Sequence, residues 1–125
     1  MVTTIRIVAA LLGVIFAVQG LSWIFDPASA AESLGMPLLD GIGRSTQIGD
    51  LGAFFFAMSA MILVGAIKAE PRWLRAAAML VGGAAVVRTL AWAIQDAAFA
   101  TRFIAAELVF AALLFFAASR LRDAD

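Results

Sequence analysis

The chain has 125 residues, of which 64% are hydrophobic and 14% are charged, and its nine basic and nine acidic side chains give a formal net charge of zero. A mean hydropathy of +1.01 is typical of membrane proteins, and the even charge balance argues against nucleic acid as a partner. Because cysteine and histidine are both absent, disulfides, histidine-ligated haem and the usual zinc and copper sites are excluded, and we expect neither a metal nor a cofactor.

Four apolar runs, at residues 5–25, 48–67, 74–99 and 102–121, are each long enough to cross a bilayer, which takes about 20 residues. They predict an all-α, antiparallel bundle of four transmembrane helices that forms a single domain, residues 1–125. Arg6 and the sequence Ala28-Ser29-Ala30 at the start of the chain also suit a cleaved signal peptide. The apolar part of this run, residues 7–25, is longer than a typical signal-peptide core, which favours a span.

The three connections differ in kind. The first, "DPASAAESLGMPLLDGIGRSTQ", is long and rich in turn residues, and its central "SAAESLGM" predicts a short helix at the membrane interface. The second, "KAEPR", is a tight basic turn in which Pro71 suits the first position of a helix. The third is short and centred on Ala100 and Thr101, so the last two helices should form an antiparallel hairpin.

Basic residues near the ends of the spans predict the orientation. One side of the bundle has six of them and the other has two, and the richer side is normally cytoplasmic. Both termini are on the richer side, so we expect both to be cytoplasmic. The six are Arg6, Lys68, Arg72, Arg75, Arg120 and Arg122, and the two are Arg44 and Arg102.

Polar residues in the spans cluster toward the side opposite the termini, which we call the outer side. Arg88, Trp92, Gln95 and Asp96 share one face of the third predicted helix, and Gln19 begins a similar polar stripe on the first. Exposure of such polar stripes to lipid would cost free energy, so we expect them to face one another around a polar cavity that opens outward. The predicted polar core or ligand site comprises Arg88, Glu107, Asp50, Asp96, Gln19, Trp92 and Gln95.

Arg88 needs a counter-charge, because a guanidinium does not deprotonate to escape burial. Counting from the predicted hairpin turn, Glu107 lies within an axial offset of roughly 7 Å, and we predict a bidentate Arg88–Glu107 pair. Such a pair can simply fix the helix register, or it can belong to a ligand or proton site, and both interpretations stay open. Trp23 is expected at the membrane interface, whereas Trp92 suits either the interface or a pocket wall.

These residues also resemble a known family. The stretches "FDPASAAESLGMPL", "IGDLGAFFFAM", "VVRTLAWAIQD" and "FIAAELVF", which carry Arg88 and Glu107, are similar to the DoxX-like group of small bacterial four-helix membrane proteins, especially its uncharacterised branches. The resemblance covers nearly the whole chain. It implies four spans, cytoplasmic termini and a location in the bacterial inner membrane. Some members of the group are described as subunits of quinone-linked oxidoreductases.

Two kinds of function follow from these features. The first is a non-catalytic accessory or scaffold subunit with a buried arginine–carboxylate core, which would bind a membrane-protein partner or a second copy of itself. The alternative is an outward-opening binding or transport protein for a small amphiphile, such as a quinone, a lipid or an organic ion, with possible proton coupling. An enzyme is the least favoured, since no nucleophile or metal motif accompanies the carboxylates.

Overall fold

The computed structural model of the protein describes residues 1–124, with side chains up to Arg122. Four of its helical segments are long and apolar enough to span a membrane, which confirms the predicted four-helix bundle, and no strand occurs in residues 1–124. The elements in chain order are α1 (Val2–Phe25), α2 (Pro27–Ser33), α3 (Gly41–Thr46), a π-helical turn (Gln47–Leu51), α4 (Gly52–Ile67), α5 (Pro71–Gln95) and α6 (Thr101–Ala124).

Two helix boundaries differ from the prediction by several residues. The second span begins at residue 41 instead of 48, because α3 and the π-helical turn continue directly into α4. Asp40 and Arg44 form an i,i+4 ion pair of 3.0 Å across the first turn of α3. The third span ends at Gln95 instead of 99, where Asp96 adopts the left-handed conformation with φ 56° and terminates α5.

The bundle is built from two helix pairs. α1 packs most extensively against α4, and α5 against α6, while α4–α5 and a narrower α1–α6 seam join the pairs. Close approach of α1 to α4 depends on Gly13, where a Cβ atom would lie 2.9 Å from the Leu63 side chain. A continuous apolar core fills the half of the bundle that holds the termini, and its large members include Leu12, Phe16, Met58, Ile62, Leu74, Leu114 and Leu121.

A second, smaller core closes the outer end. Trp23 is fully buried there against Ala30 and Ala31, because α2 folds back onto the end of α1. The expectation that Trp23 lies at the interface as a belt residue is therefore wrong, since the helix predicted in "SAAESLGM", found at Pro27–Ser33, covers its indole ring.

Gln47 holds the segment between α2 and α3 in place. Its Oε1 accepts a hydrogen bond of 2.8 Å from the backbone N–H of Leu39, and its Nε2 donates one of 3.1 Å to the carbonyl of Pro37. The side chain is buried, and burial of an amide is favourable only when its polar atoms are satisfied in this way. One glutamine, at the first position of the π-helical turn, therefore anchors the loop that lies over the outer end of the bundle.

At the opposite end, Arg6 caps a helix. Its Nε donates a hydrogen bond of 2.6 Å to the carbonyl of Ala66, and a terminal nitrogen donates to that of Ile67. Both carbonyls belong to the last turn of α4, where a positive charge also interacts favourably with the helix dipole. Arg6, which the sequence marks as an orientation signal and as a feature of a signal peptide, thus also ties α1 to α4.

Candidate functional site

A cavity of about 370 Å³ lies between the two helix pairs, on the outer side of the apolar core. Five of its 14 lining residues are phenylalanines and only three are polar. All four spans contribute to the wall, and Leu34, which follows α2, completes it. The lining residues are Ile15, Phe16, Gln19, Leu34, Leu51, Phe54, Phe55, Val81, Ala84, Arg88, Phe103, Ala106, Glu107 and Phe110.

Arg88 and Glu107 form an ion pair at the wall of this cavity. The closest contact joins Arg88 Nε and Glu107 Oε1 at 2.9 Å, and the two side chains are 33% and 14% exposed. Both atoms are inaccessible to solvent, and although they are close, their alignment is not that of a regular hydrogen bond. The structure thus pairs the two residues that the sequence predicts to pair. The prediction of bidentate hydrogen bonding is wrong, since no regular hydrogen bond joins the two side chains and the closest contact is made by Nε.

The pair lies at nearly equal depth in its two helices, which removes the predicted offset of roughly 7 Å. Arg88 is seven residues before Gln95, the last residue of α5, and Glu107 is six residues after Thr101, the first of α6. At 1.5 Å per residue, the difference is only about 1.5 Å. The predicted axial offset is too large because it counts both residues from a single turn at residue 100, whereas a five-residue connection separates α5 from α6.

Phe103 is a site residue that the sequence analysis missed. The guanidinium carbon of Arg88 lies 4.8 Å from the centre of its ring, and that of Arg102 lies 5.7 Å away. Arginine over an aromatic face is a favourable cation–π arrangement. The sequence contains a pattern that could have identified Phe103: it is four residues before Glu107, so the two share a face of α6.

Several hydrogen-bonding groups at this end of the cavity are unmatched. A guanidinium has five N–H donors, and Arg88 makes no regular hydrogen bond with any side chain or carbonyl in the part of the chain described. Gln19 lines the cavity on α1 and is half-buried, and its amide likewise has no hydrogen-bond partner among the described residues. The cavity wall is therefore apolar except at Arg88, Glu107 and Gln19, and the guanidinium of Arg88 retains N–H donors that no regular hydrogen bond uses.

The other four predicted site residues do not line the cavity. Asp50 is exposed on the π-helical turn, and Trp92, Gln95 and Asp96 are exposed at the outer end of α5. No residue from 86 to 99 is buried, so the stripe beyond Arg88 faces away from the bundle interior. Trp92 instead packs edge-on against Phe99, with ring centres 5.1 Å apart. The structure thus gathers Arg88, Glu107 and Gln19 and leaves the other four apart.

The chain is thus a small multi-pass integral membrane protein, with four apolar spans around an off-centre cavity that contains one ion pair. Among the side chains that the structure describes, no three acidic groups are placed so as to hold a metal ion. Comparison with protein families, with curated proteins and with solved structures found no significant match.

Proposed function

We propose that this protein binds a small amphiphile in the cavity between its helix pairs. The observation that carries the proposal is an apolar, phenylalanine-rich space of about 370 Å³ with the Arg88–Glu107 pair and the Gln19 amide at its polar part. Small-molecule sites typically combine apolar walls with a few polar groups that fix orientation, in volumes of about 300 to 1,000 Å³. At about 30 Å³ per water-sized group, this one holds roughly a dozen non-hydrogen atoms.

The competing interpretation is that the ion pair only fixes how α5 and α6 pack. A pair with that role alone needs no space beside it, whereas Arg88 and Glu107 both line the cavity. The accessory or scaffold role stays a prediction. Apolar side chains are abundant on the surface at the outer end of α5. Either lipid or a partner protein can cover such a surface, so it gives no support to the accessory or scaffold role over ligand binding.

Binding can be tested with the protein in lipid nanodiscs, using three radiolabelled probes of about a dozen non-hydrogen atoms: methyl nonanoate, decanoate and undecylamine. Empty nanodiscs give the background from partitioning into lipid. We expect saturable binding of at least one probe.

Two variants test whether the cavity is the binding site. Ala106→Phe fills the cavity, whereas Ala105→Phe adds the same ring to the exposed face of the same helix.

The proposal predicts that Ala106→Phe weakens this binding about tenfold or more and that Ala105→Phe leaves it within about twofold, since only the first ring occupies the ligand's volume. Absence of saturable binding for all three probes would overturn it. Equal loss in both variants would also overturn it, because the cavity would then not be the site.

We further propose that the chain belongs to the DoxX-like group and resides in the bacterial inner membrane with both termini cytoplasmic. The support is the arrangement of four spans, the arginine–glutamate pair of the last two helices and the distribution of basic residues. Because the chain has no cysteine, a single introduced cysteine reports the side of the membrane on which it lies. Ser29→Cys reports the outer side and Thr3→Cys the side of the termini, and both positions are exposed. A membrane-impermeant maleimide added to intact spheroplasts should label only Ser29→Cys, and the reverse pattern would refute the orientation.

A further inference from the structure

We infer that the cavity selects an amphiphile whose head group is uncharged and contains a carbonyl acceptor, such as an ester or a ketone. This inference rests on the proposed function, because it specifies the ligand of the same cavity. It follows from three features: the charge balance of the Arg88–Glu107 pair, the unmatched donors beside it and the size of the apolar space.

The charge balance disfavours ions of either sign. Arg88 and Glu107 are 2.9 Å apart and neutralise each other, so their part of the cavity has no net charge. A carboxylate that approached the Arg88 guanidinium would lie close to Glu107 and be repelled by it, and an ammonium that approached Glu107 would be repelled by Arg88. Either ion would also lose its hydration on entering a space lined mainly by phenyl rings and aliphatic groups.

The unmatched donors favour an acceptor. With its Nε next to Glu107, Arg88 retains the N–H groups of its terminal nitrogens, and Gln19 adds its amide N–H groups from α1. The Phe103 ring stacks on the guanidinium and offers it no acceptor oxygen, so it does not satisfy these donors. A carbonyl oxygen can accept a hydrogen bond from Arg88 without bringing a charge, and such a hydrogen bond to a charged donor is stronger than a neutral one.

The cavity walls determine the size and polarity of the ligand beyond its head group. Beyond the ion pair, the cavity continues along Phe16, Phe54, Phe55 and Phe110, with no further charged side chain among its lining residues. A volume that holds roughly a dozen non-hydrogen atoms fits a single medium-length chain or a small ring with its carbonyl. The ligand is therefore compact, with one polar end.

The discriminating experiment compares three probes of equal size on the wild-type protein. Methyl nonanoate, decanoate and undecylamine differ in the charge of the head group while having the same number of non-hydrogen atoms. At pH 8.5 the acid and the amine are both ionised. We expect the ester to bind about tenfold more tightly than either ion or better, which corresponds to one hydrogen bond to a charged group. Binding of decanoate or undecylamine as tight as that of the ester would overturn the inference.

A variant adds a second readout. Glu107→Gln retains the size of the side chain and removes its charge, which leaves Arg88 as a net positive site. Decanoate binding should then improve about tenfold relative to wild type, while ester binding changes by less than about threefold. Glu32→Gln, at an exposed position on α2, is the matched control and should change neither. Unaltered decanoate binding in correctly folded Glu107→Gln protein would contradict the charge argument.

The two proposals fail in different ways. If none of the probes binds saturably, the proposed function fails and the inference fails with it. If decanoate binds best and Ala106→Phe abolishes that binding, the cavity is a binding site but its selectivity is not the one inferred. If Glu107→Gln does not fold, the wild-type preference among the three probes alone decides the inference.

Discussion

Removing one partner of the Arg88–Glu107 pair should destabilise the bundle far more than removing both. At 2.9 Å and an effective dielectric constant of about 20, the attraction between two unit charges is about 6 kcal/mol. Most of this attraction offsets the cost of taking two charges out of water, so the net contribution of the pair is small. Arg88→Ala, however, leaves Glu107, whose side chain is 14% exposed in the intact pair, without its counter-charge, and we expect a loss of about 3–5 kcal/mol in the free energy of unfolding.

The assay is reversible unfolding in mixed micelles of increasing SDS content, followed by tryptophan fluorescence. The double variant Arg88→Met with Glu107→Met should be within about 1 kcal/mol of wild type, because no charge remains buried. Arg120→Ala is the matched control. This arginine also lies over a phenylalanine ring, that of Phe116 at 5.1 Å, but it is exposed and forms no ion pair with a described side chain, so its loss should cost less than about 1 kcal/mol.

Two results would refute this reasoning. If Arg88→Ala destabilises no more than Arg120→Ala, the contact between Arg88 and Glu107 has no energetic importance in the membrane. If the double variant is as unstable as Arg88→Ala, the loss arises from missing packing around the side chain instead of from an unpaired charge.

Three further predictions concern the frame around the cavity, and the same unfolding assay tests them. Gly13→Leu should cost about 1–3 kcal/mol because its Cβ alone would already press on α4, whereas Gly83→Leu, where a Cβ meets nothing within 4 Å, should be nearly neutral; equal effects would argue against close helix approach at Gly13. Trp23→Ala should cost about 3–5 kcal/mol, because a fully buried indole is lost, and Trp92→Ala, at a residue 51% exposed, less than about 1 kcal/mol. Gln47→Ala breaks two hydrogen bonds of the loop between α2 and α3 and should cost about 1–3 kcal/mol, with faster amide exchange confined to that loop; unchanged exchange there would refute the anchoring role.

Hydropathy and the distribution of charge predict the four spans because a membrane imposes one strong requirement, a helix of about 20 apolar residues. That requirement says little about the ends of the spans. α3 and the π-helical turn contain glycines and polar residues, so a count of apolar residues does not extend the second span into them. Local contacts there, such as the Asp40–Arg44 pair, do not enter a hydropathy average. The left-handed Asp96 that stops α5 is likewise a local backbone choice.

The candidate site was predictable only in part, for a similar reason. The cost of an unpaired arginine in a span leads directly to Glu107, the one carboxylate on the next helix at comparable depth. Helical phase places Trp92 and Gln95 on the same face of α5 as Arg88, but it does not tell where α5 ends, which leaves Asp96 outside the helix, or how far along α5 the neighbouring helices extend. Beyond Arg88 the helix has no buried residue, so these side chains leave the bundle interior.

The two charges of the pair also belong to consecutive spans, and this matters for how the chain enters the membrane. α5 is the least hydropathic of the four spans and contains Arg88, which opposes its transfer into lipid as an isolated helix. The compensating charge, Glu107, is in the very next segment to leave the ribosome, and only five residues separate α5 from α6. The last two helices are therefore suited to insert together as a hairpin in which the charges of Arg88 and Glu107 balance each other, with the arginine accommodated only after its partner helix has been made.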